Sequence, residues 1–320
     1  MNYEIYAVIV TYNPNISSFR KVIDGLREQV DSIVVVDNAS KNLYEIQALV
    51  QNSEFGIIKF SENKGIAYAQ NKGIAYADSR GARYILLMDQ DTVLPEGSVD
   101  VLHKESIALE SQGLKVGAIG SAYRDTHDGK LNAIWKANGC KVEKKDVNYE
   151  VNKLIEVDFV ISSGSLIPIS TLEEVGLMDD SLFIDLVDIE WGLRAKSYGY
   201  QSYQSSTCIM THTLGTGRLN VFGKTVSLHD PVRNYFSVRN SIFLSKRNYI
   251  VPAWRIYFVK RIFPYLIVFG LFPSQKWLRI KFMMLALVDG LIGRGGALTE
   301  SCGWLERCNV IRLFKSHIRN

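Results

Sequence analysis

The sequence has no G-x-G-x-x-G fingerprint after its first strand-like run and no Walker-type lysine loop. Those absences weigh against a nicotinamide-dependent dehydrogenase and a P-loop nucleotide hydrolase. Long apolar runs are lacking too. The run at 262–272 is interrupted by Pro264 and Gly270 and falls short of the ~20 residues that a bilayer-spanning helix needs. Cysteine is scarce: Cys140, Cys208, Cys302 and Cys308 form no C-x-x-C pair and no dense framework, so a reducing compartment is expected. No basic segment followed by an apolar one opens the chain, where a strand-like run begins at Ile5, and no secretory signal is expected.

What is present is a globular composition over 320 residues, enough for one large domain or two smaller ones. The net charge of +4 is unevenly spread. Residues 251–320 carry 11 Lys/Arg against 3 Asp/Glu, net +8, while the first 250 carry 26 against 30, net −4. A slightly acidic body with a basic, aromatic-rich tail points to nucleic acid or an anionic membrane. Short apolar runs beside that charge fit nucleic acid poorly, so no nucleic-acid partner is expected.

The stretch Tyr84-Ile85-Leu86-Leu87-Met88-Asp89-Gln90-Asp91 organises the rest. A short apolar run bounded by Gly81 and Pro95 reads as a buried strand, and it delivers two carboxylates at its end. Unpaired charge beside a buried strand is costly. A hard divalent cation, Mg²⁺ or Mn²⁺, holding a phosphate relieves that cost. A D-x-D in isolation reads more readily as a solvated turn, and it is the surroundings that favour a cation site.

Before it, Ile5–Val10, Ser32–Asp37 and Gly56–Phe60 read as strands, with helices starting near Asn15, Leu43 and Asn63. This β-α alternation predicts an α/β fold with a mostly parallel sheet and right-handed crossovers. Ligands then bind beyond the carboxyl ends of the strands, where Thr11, Asp37 and Asp89 all fall. The third helix carries a local duplication, Lys64-Gly-Ile-Ala-Tyr-Ala and Lys72-Gly-Ile-Ala-Tyr-Ala, whose small residues predict close approach to the sheet. Asn63 and Asn71 read there as caps or as ligand contacts.

Residues 123–153 are polar and mixed, an insertion or a hairpin. A strand is expected over Leu154–Ile161, ended by Ser162-Ser163-Gly164-Ser165, a turn that permits close backbone approach to a ligand. Asp188 falls where a helix begins, a position that suits an acid as cap. Glu190 and Arg194 form an i, i+4 pair, and Asp185 is a further site acid or a loop charge. His212 lies beside a Gly-rich stretch, a transition-metal ligand or a structural imidazole. Arg233-Asn-Tyr-Phe-Ser-Val-Arg239-Asn240 combines arginines with aromatics.

Together, Val10-Thr11-Tyr12-Asn13, Val36-Asp37-Asn38-Ala39-Ser40, Asn63-Lys-Gly65 with Asn71-Lys-Gly73, and Asp89-Gln-Asp91 resemble the family 2 glycosyltransferases. Phe183-Ile-Asp-Leu-Val-Asp188-Ile-Glu-Trp191 resembles their second acidic motif. The stretch 183–200 and the Arg233/Arg239 segment look like bacterial rhamnosyltransferases of O-antigen and related polysaccharide assembly. The resemblance covers about residues 3–245.

It implies a GT-A nucleotide-sugar-binding fold and an inverting, metal-dependent transfer of L-rhamnose from dTDP-L-rhamnose to a lipid-linked saccharide. Thr11, Tyr12, Asp37, Asn63, Asn71, Asp89 and Gln90 are then donor-nucleotide residues. Asp91, Asp89 and His212 are the metal ligands, and Asp188 is the general base. Glu190, Trp191, Arg233 and Arg239 contact acceptor or diphosphate. Val187 stands where that family usually has a second acid, which leaves Asp185 or Glu190 to compensate.

The catalytic domain is expected over 1–228, and a helical, basic and apolar region over 229–320. Basic residues flanking the short apolar runs at 262–272 and 282–288, with Trp254, Tyr265 and Trp277, fit helices lying in a membrane interface. The expected location is therefore cytoplasmic, peripheral on the inner face of the plasma membrane. The rival readings are a UDP-hexose transferase and a non-catalytic membrane scaffold on a transferase fold.

Overall fold

The computed structural model describes residues 4–50, 55–126, 129–146, 153–212, 217–221 and 223–298. The first half alternates as the periodicity predicts: β1 (Ile5–Thr11), α1 (Ile16–Leu26), β2 (Ser32–Asp37), α2 (Leu43–Leu49), β3 (Phe55–Lys59), α3 (Ile66–Asp78), β4 (Tyr84–Asp89) and α4 (Ser98–Ser111). Next come β5 (Val116–Asp125), the antiparallel hairpin β6 (Ile134–Asn138) and β7 (Lys141–Lys145), β8 (Leu154–Val157), β9 (Ser165–Pro168) and α5 (Ile169–Val175). A single 3-10 turn at Asp180–Leu182 leads to α6 (Val187–Ser197), β10 (Gln201–His212), β11 (Gly217–Val221) and β12 (Lys224–Leu228). Three helices follow, α7 (Pro231–Lys246), α8 (Pro252–Leu271) and α9 (Lys276–Ile292).

One eight-stranded sheet, ordered β3-β2-β1-β4-β9-β5-β10-β8, forms the centre. Only β9 and β8 run against the rest. Strands β1, β2 and β4 are buried on both faces, as expected of parallel strands covered by helices. On one side Phe19, Ile23, Ile46 and Leu102 pack on Ile9, Val35 and Leu86. On the other, Ala69, Ile74 and Ala77 of α3 pack on Val8, Val34, Val36 and Leu87. Gly73 explains the small-residue stripe, because a Cβ there would lie 2.3 Å from Val8 Cγ1.

One boundary differs from the sequence reading. The strand from Leu154 ends at Val157, because the next residue, Asp158, is buried as a polar hub. It accepts from the Ala137 amide at 2.6 Å and from Trp254 Nε1 at 2.7 Å, and it pairs with Lys196. These bonds tie the hairpin, α8 and α6 together. Pro264, which interrupts the apolar run, sits on the exposed side of α8 and removes only one hydrogen bond from this 20-residue helix.

The last three helices form their own layer around Tyr235, Phe236, Ile242, Phe269, Phe282 and Met283. Helix α7 is enclosed from Asn234 to Leu244. No helix among the described residues is long and apolar enough to cross a membrane.

Candidate active site

The parallel register aligns the carboxyl ends of β1, β2 and β4, so Thr11 pairs with Asp37 and Val10 with Asp89. Thr11 Oγ1 donates to Asp37 Oδ1 at 3.0 Å, and Asp37 Oδ2 accepts from the Ser40 amide at 2.9 Å. Both side chains are fully buried. Gln90 Oε1 accepts from the Tyr12 amide at 2.8 Å. Asn63 Oδ1 takes the Gly65 amide and Asn38 Nδ2, while Asn38 Oδ1 takes the Lys64 amide. These bonds brace the loops after β1, β2, β3 and β4 into one rim at the sheet edge.

Asp89 and Asp91 stand on that rim, Asp89 half-buried and Asp91 exposed. Burial, and then the Asp91 charge, push the Asp89 carboxyl up to about 6, with the Arg233 guanidinium pulling the other way. An acid raised by its neighbour's charge is a poor resting arrangement and a good cation site. Among the described residues, no group of three or more His, Cys, Asp or Glu side chains gathers to hold a metal. A two-carboxylate site completed by phosphate oxygens fits a hard cation. His212 pairs by its backbone with Asp125 at the end of β10, but its side chain lies outside the described part, so its ligand role is not placed.

Asp188 opens α6 facing this rim. Its carboxylate accepts from the Ile189 amide at 2.9 Å and from the Ser162 amide. Burial pushes it up to about 6 against those bonds, and the Asp89 charge adds to the rise. The turn at 162–164 touches both acidic centres, because Ser163 Oγ accepts from the Asp89 amide at 3.1 Å. Tyr123 completes the surroundings. Burial, followed by the charge of Asp188, pushes its phenol up to about 12.

The loop leading into Asp188 is strained. Phe183 (φ 63°), Asp185 (φ 67°) and Leu186 (φ 64°) all occupy the left-handed region, at about 1–3 kcal/mol for each such residue. Helix α7 holds it there. Asn240 Nδ2 donates to the carbonyls of Leu182, Ile184 and Asp185 at 2.8–3.0 Å. Arg239 donates to the carbonyls of Ser181 and Leu182 and to Gly296. The Arg233 guanidinium clasps Asp185 through Nε at 2.9 Å and through Nη2, and Phe183 stacks on Phe236 with ring centroids 4.9 Å apart. From the other side, the Phe183 carbonyl accepts from the Ile66 amide at 2.7 Å. Gly65 permits that contact, since any Cβ there would meet Phe183 at 2.6 Å.

Four residues expected to contact ligand have protein partners in this geometry. Asn71 spends its amide on Met178 and Asp180, bracing that loop two turns along α3 from the site. Glu190 is fully buried and paired with Arg194, with Tyr249 alongside, while Trp191 donates Nε1 to the Gly176 carbonyl at 2.9 Å. Arg239 is enclosed by backbone carbonyls and rings. The one arginine of its segment that faces an acid of the rim is Arg233. Val187, in the position of the missing acid, is core. Of the two candidates to compensate, Asp185 pairs with Arg233 and Glu190 with Arg194.

Ser162, Ser163 and Asn240 lie in stretches whose composition marks them, a Gly-Ser turn after a strand and an Arg-aromatic segment. Tyr123 carries no local signal, because only the packing of α6 against β5 brings it to Asp188.

A parallel sheet with acids at its carboxyl edge and a facing acid at a helix start define the GT-A class of sugar transferase. The model of the family "Glycosyl transferase family 2" matches residues 6–165, and the chain belongs to that family. It is a glycosyltransferase. The dTDP-rhamnosyl transferase RfbF of Shigella flexneri is 32% identical over 304 residues, covering 92% of this chain and 98% of RfbF. Among solved structures, S. aureus TarS 1–349 in complex with UDP-GlcNAc superposes with a TM-score of 0.55 at 13% identity, over 91% of this chain and 81% of that one. GalNAc-T7 with UDP, GalNAc and Mn²⁺ gives 0.53 at 13%, over 91% of this chain. The chain spans only 58% of GalNAc-T7. At such identities these two structures speak for the fold alone.

Proposed function

We propose that this enzyme transfers L-rhamnose from dTDP-L-rhamnose to a lipid-linked saccharide of a cell-surface polysaccharide, with inversion at the anomeric carbon. The observation that carries the mechanism is the pairing of two acidic centres across one turn, Asp89 with Asp91 and, facing them, Asp188. The likeness to the RfbF transferase over nearly its full length supports the donor.

In the reaction an acceptor hydroxyl attacks the anomeric carbon from the face opposite the nucleotide. The bond to the diphosphate breaks, and the hydroxyl proton passes to Asp188. A base with a pKa near the working pH is effective in that role, and the Ile189 and Ser162 amides hold its oxygens in place. No protein nucleophile is needed for a single displacement. Asp91 and Asp89 would hold Mg²⁺ or Mn²⁺, which when bound supplies positive charge to the departing diphosphate. Arg233, oriented by Asp185, adds a fixed positive charge beside Asp89. Thr11, Tyr12, Asp37, Asn63 and Gln90 shape the rim that receives the nucleoside.

Melting curves with dTDP, UDP and GDP, each with and without Mg²⁺ or Mn²⁺, test the donor. A ligand that binds only the native state raises the melting temperature by mass action. The expected result is a metal-dependent rise with dTDP that exceeds the rise with UDP. A rise with UDP alone keeps the transferase and rejects rhamnose.

The helices α7, α8 and α9 belong, in this reading, to the membrane surface, and residues 299–320 of the expected region lie outside the described residues. Ile256, Val259, Phe263, Ile267 and Leu271 form an exposed stripe on α8, and Trp277, Met284, Val288 and Leu291 form one on α9. Phe263 and Trp277 are 70% and 71% exposed. Lys260, Lys276 and Lys281 flank the stripes, and the one acid of these two helices, Asp289, is buried. Arg279 is buried against Asn234 and takes no part. An exposed apolar face edged by cations suits an anionic bilayer. Full-length protein is expected to float with anionic vesicles, and the Phe263→Glu/Trp277→Glu variant to stay behind with its melting temperature kept. Equal flotation of the two ends this assignment.

A further inference from the structure

A cavity of about 280 Å³ opens between the β6–β7 hairpin, the segment 159–161 and α8. It is separate from the donor rim, since none of Asp37, Asp89 and Asp91 lines it. It does adjoin the base. Leu186 and Ile189 from either side of Asp188 line it, as do Ile161, whose neighbour Ser162 donates to Asp188, and Tyr123, which feels the Asp188 charge. Its far wall is aromatic. Trp135 of the hairpin and Tyr257 of α8 lie with ring centroids 5.7 Å apart, tilted by 59°.

The one cation of its lining is Arg261, half-buried on α8 and with no carboxylate within ion-pair distance among the described residues. Its recorded contact is a 3.5 Å approach to Ser237 Oγ, at the outer limit of a hydrogen bond. Helix α8 thus has two faces. Trp254, Tyr257 and Arg261, at i, i+3 and i+7, line the cavity, while Ile256, Val259, Phe263 and Ile267 face outward.

We propose that this cavity seats a single sugar ring of the acceptor, stacked on Trp135 and Tyr257, with Arg261 binding a phosphate attached directly to that ring. The occupant is a glycosyl (di)phosphate carried on a lipid, and the sugar accepted is the one next to the phosphate. Several features support this. The volume, near the ~300 Å³ lower bound of small-molecule pockets, suits one ring rather than an oligosaccharide. Aromatic walls, with Ser121, Asn132 and Gln204 also in the lining, suit a pyranose ring. A guanidinium without a protein anion suits a phosphate. The outward stripe of α8 puts the lipid where the bilayer is proposed to lie. The inference rests on the transferase reading above and specifies its acceptor.

The test uses the full chain and synthetic acceptors, each a single glucose, galactose, N-acetylglucosamine or rhamnose. Each sugar is supplied as an alkyl diphosphate and as the plain alkyl glycoside. Binding is followed by saturation-transfer NMR and transfer by product formation, with the dTDP-induced melting shift recorded in parallel. At least one alkyl diphosphate is expected to bind and to be glycosylated. Arg261→Ala is expected to weaken that acceptor by about tenfold or more, as for loss of a charge-assisted bond, and to leave the matching plain glycoside within about twofold. Trp135→Ala and the cavity-filling Ala133→Trp are expected to weaken both forms, with the dTDP shift retained as evidence of folding.

Failure of every alkyl diphosphate to bind the wild-type protein overturns the inference. So does undiminished binding in Trp135→Ala and Ala133→Trp. An equal effect of Arg261→Ala on both acceptor forms removes the phosphate. Loss of the dTDP shift in the wild-type protein indicts the donor reading instead, so the two failures are told apart.

Discussion

Asp188→Asn is expected to lower sugar transfer by about 10²–10⁴-fold, the usual contribution of a positioned general base, while dTDP still binds. The same change is expected to stabilise the ligand-free protein at pH 8. The Asp188 carboxyl is pushed from its ordinary 3.8 up to about 6 by burial, with Asp89 adding to the rise. A carboxyl raised on folding favours the folded state fully below its unfolded value, and that contribution is lost as pH climbs through the folded one. At pH 8 the ionised group is therefore a net cost. A shift of this size, discounted for partial exposure, is on the order of 1–2 kcal/mol, or a few degrees in melting temperature.

The advantage of the Asn variant is expected to shrink as pH falls and to vanish near pH 4. Wild-type kcat/KM is expected to fall as pH drops through about 6, or through a lower value where the cation offsets the Asp89 charge. Rates within threefold of wild type in the Asn variant would remove Asp188 as base. A lower melting temperature at pH 8 would show that its amide bonds outweigh its burial.

The second large effect is placed in α7. Asn240→Ala strips the donor from three carbonyls of the strained loop 182–185. Leaving such buried acceptors unsatisfied costs about 2–4 kcal/mol. With its brace gone, the loop relaxes from its left-handed conformations, and Asp188 shifts with it. Small misplacement of a reacting group costs about 10²-fold. The expected signature, measured well below the melting temperature, is a fall in kcat with little change in KM for the donor. Asn240→Asp, which sets a carboxylate against the same carbonyls, is expected to be worse than Ala. A variant that melts early but turns over normally would make Asn240 a stability residue only.

How far the molecule was legible follows from the range of each signal. Apolar runs ending in polar residues located β1, β2 and β4, and their alternation with helices brought Thr11, Asp37 and Asp89 to one edge. The local duplication makes Asn63 and Asn71 look equivalent, yet Asn63 lies before α3 and Asn71 more than a turn inside it, within reach of Met178 and Asp180. Glu190 sits two residues from Asp188 and so faces elsewhere, toward Arg194 and Tyr249, as helical geometry requires. Arg239 and Arg233 are identical in a string of letters. What separates them is that one meets carbonyls inside the protein and the other meets Asp185 and Asp89. Asp158 and Tyr123 gain their roles only from elements distant in the chain, which no local pattern encodes.

The enclosure of α7 bears on how such enzymes can be recombined. Arg239 reaches back to Ser181 and on to Gly296, and Lys246 donates to the Gly290 and Leu291 carbonyls. A chimera joined at the visible break after Leu228 would separate the base from its brace, and one joined after Ile250 would remove the helix on which that brace leans. The unit of exchange is the outward surface of α8 and α9, residue by residue. On the proposed membrane reading, surface preference is regrafted as a pattern of side chains and not as a detachable module.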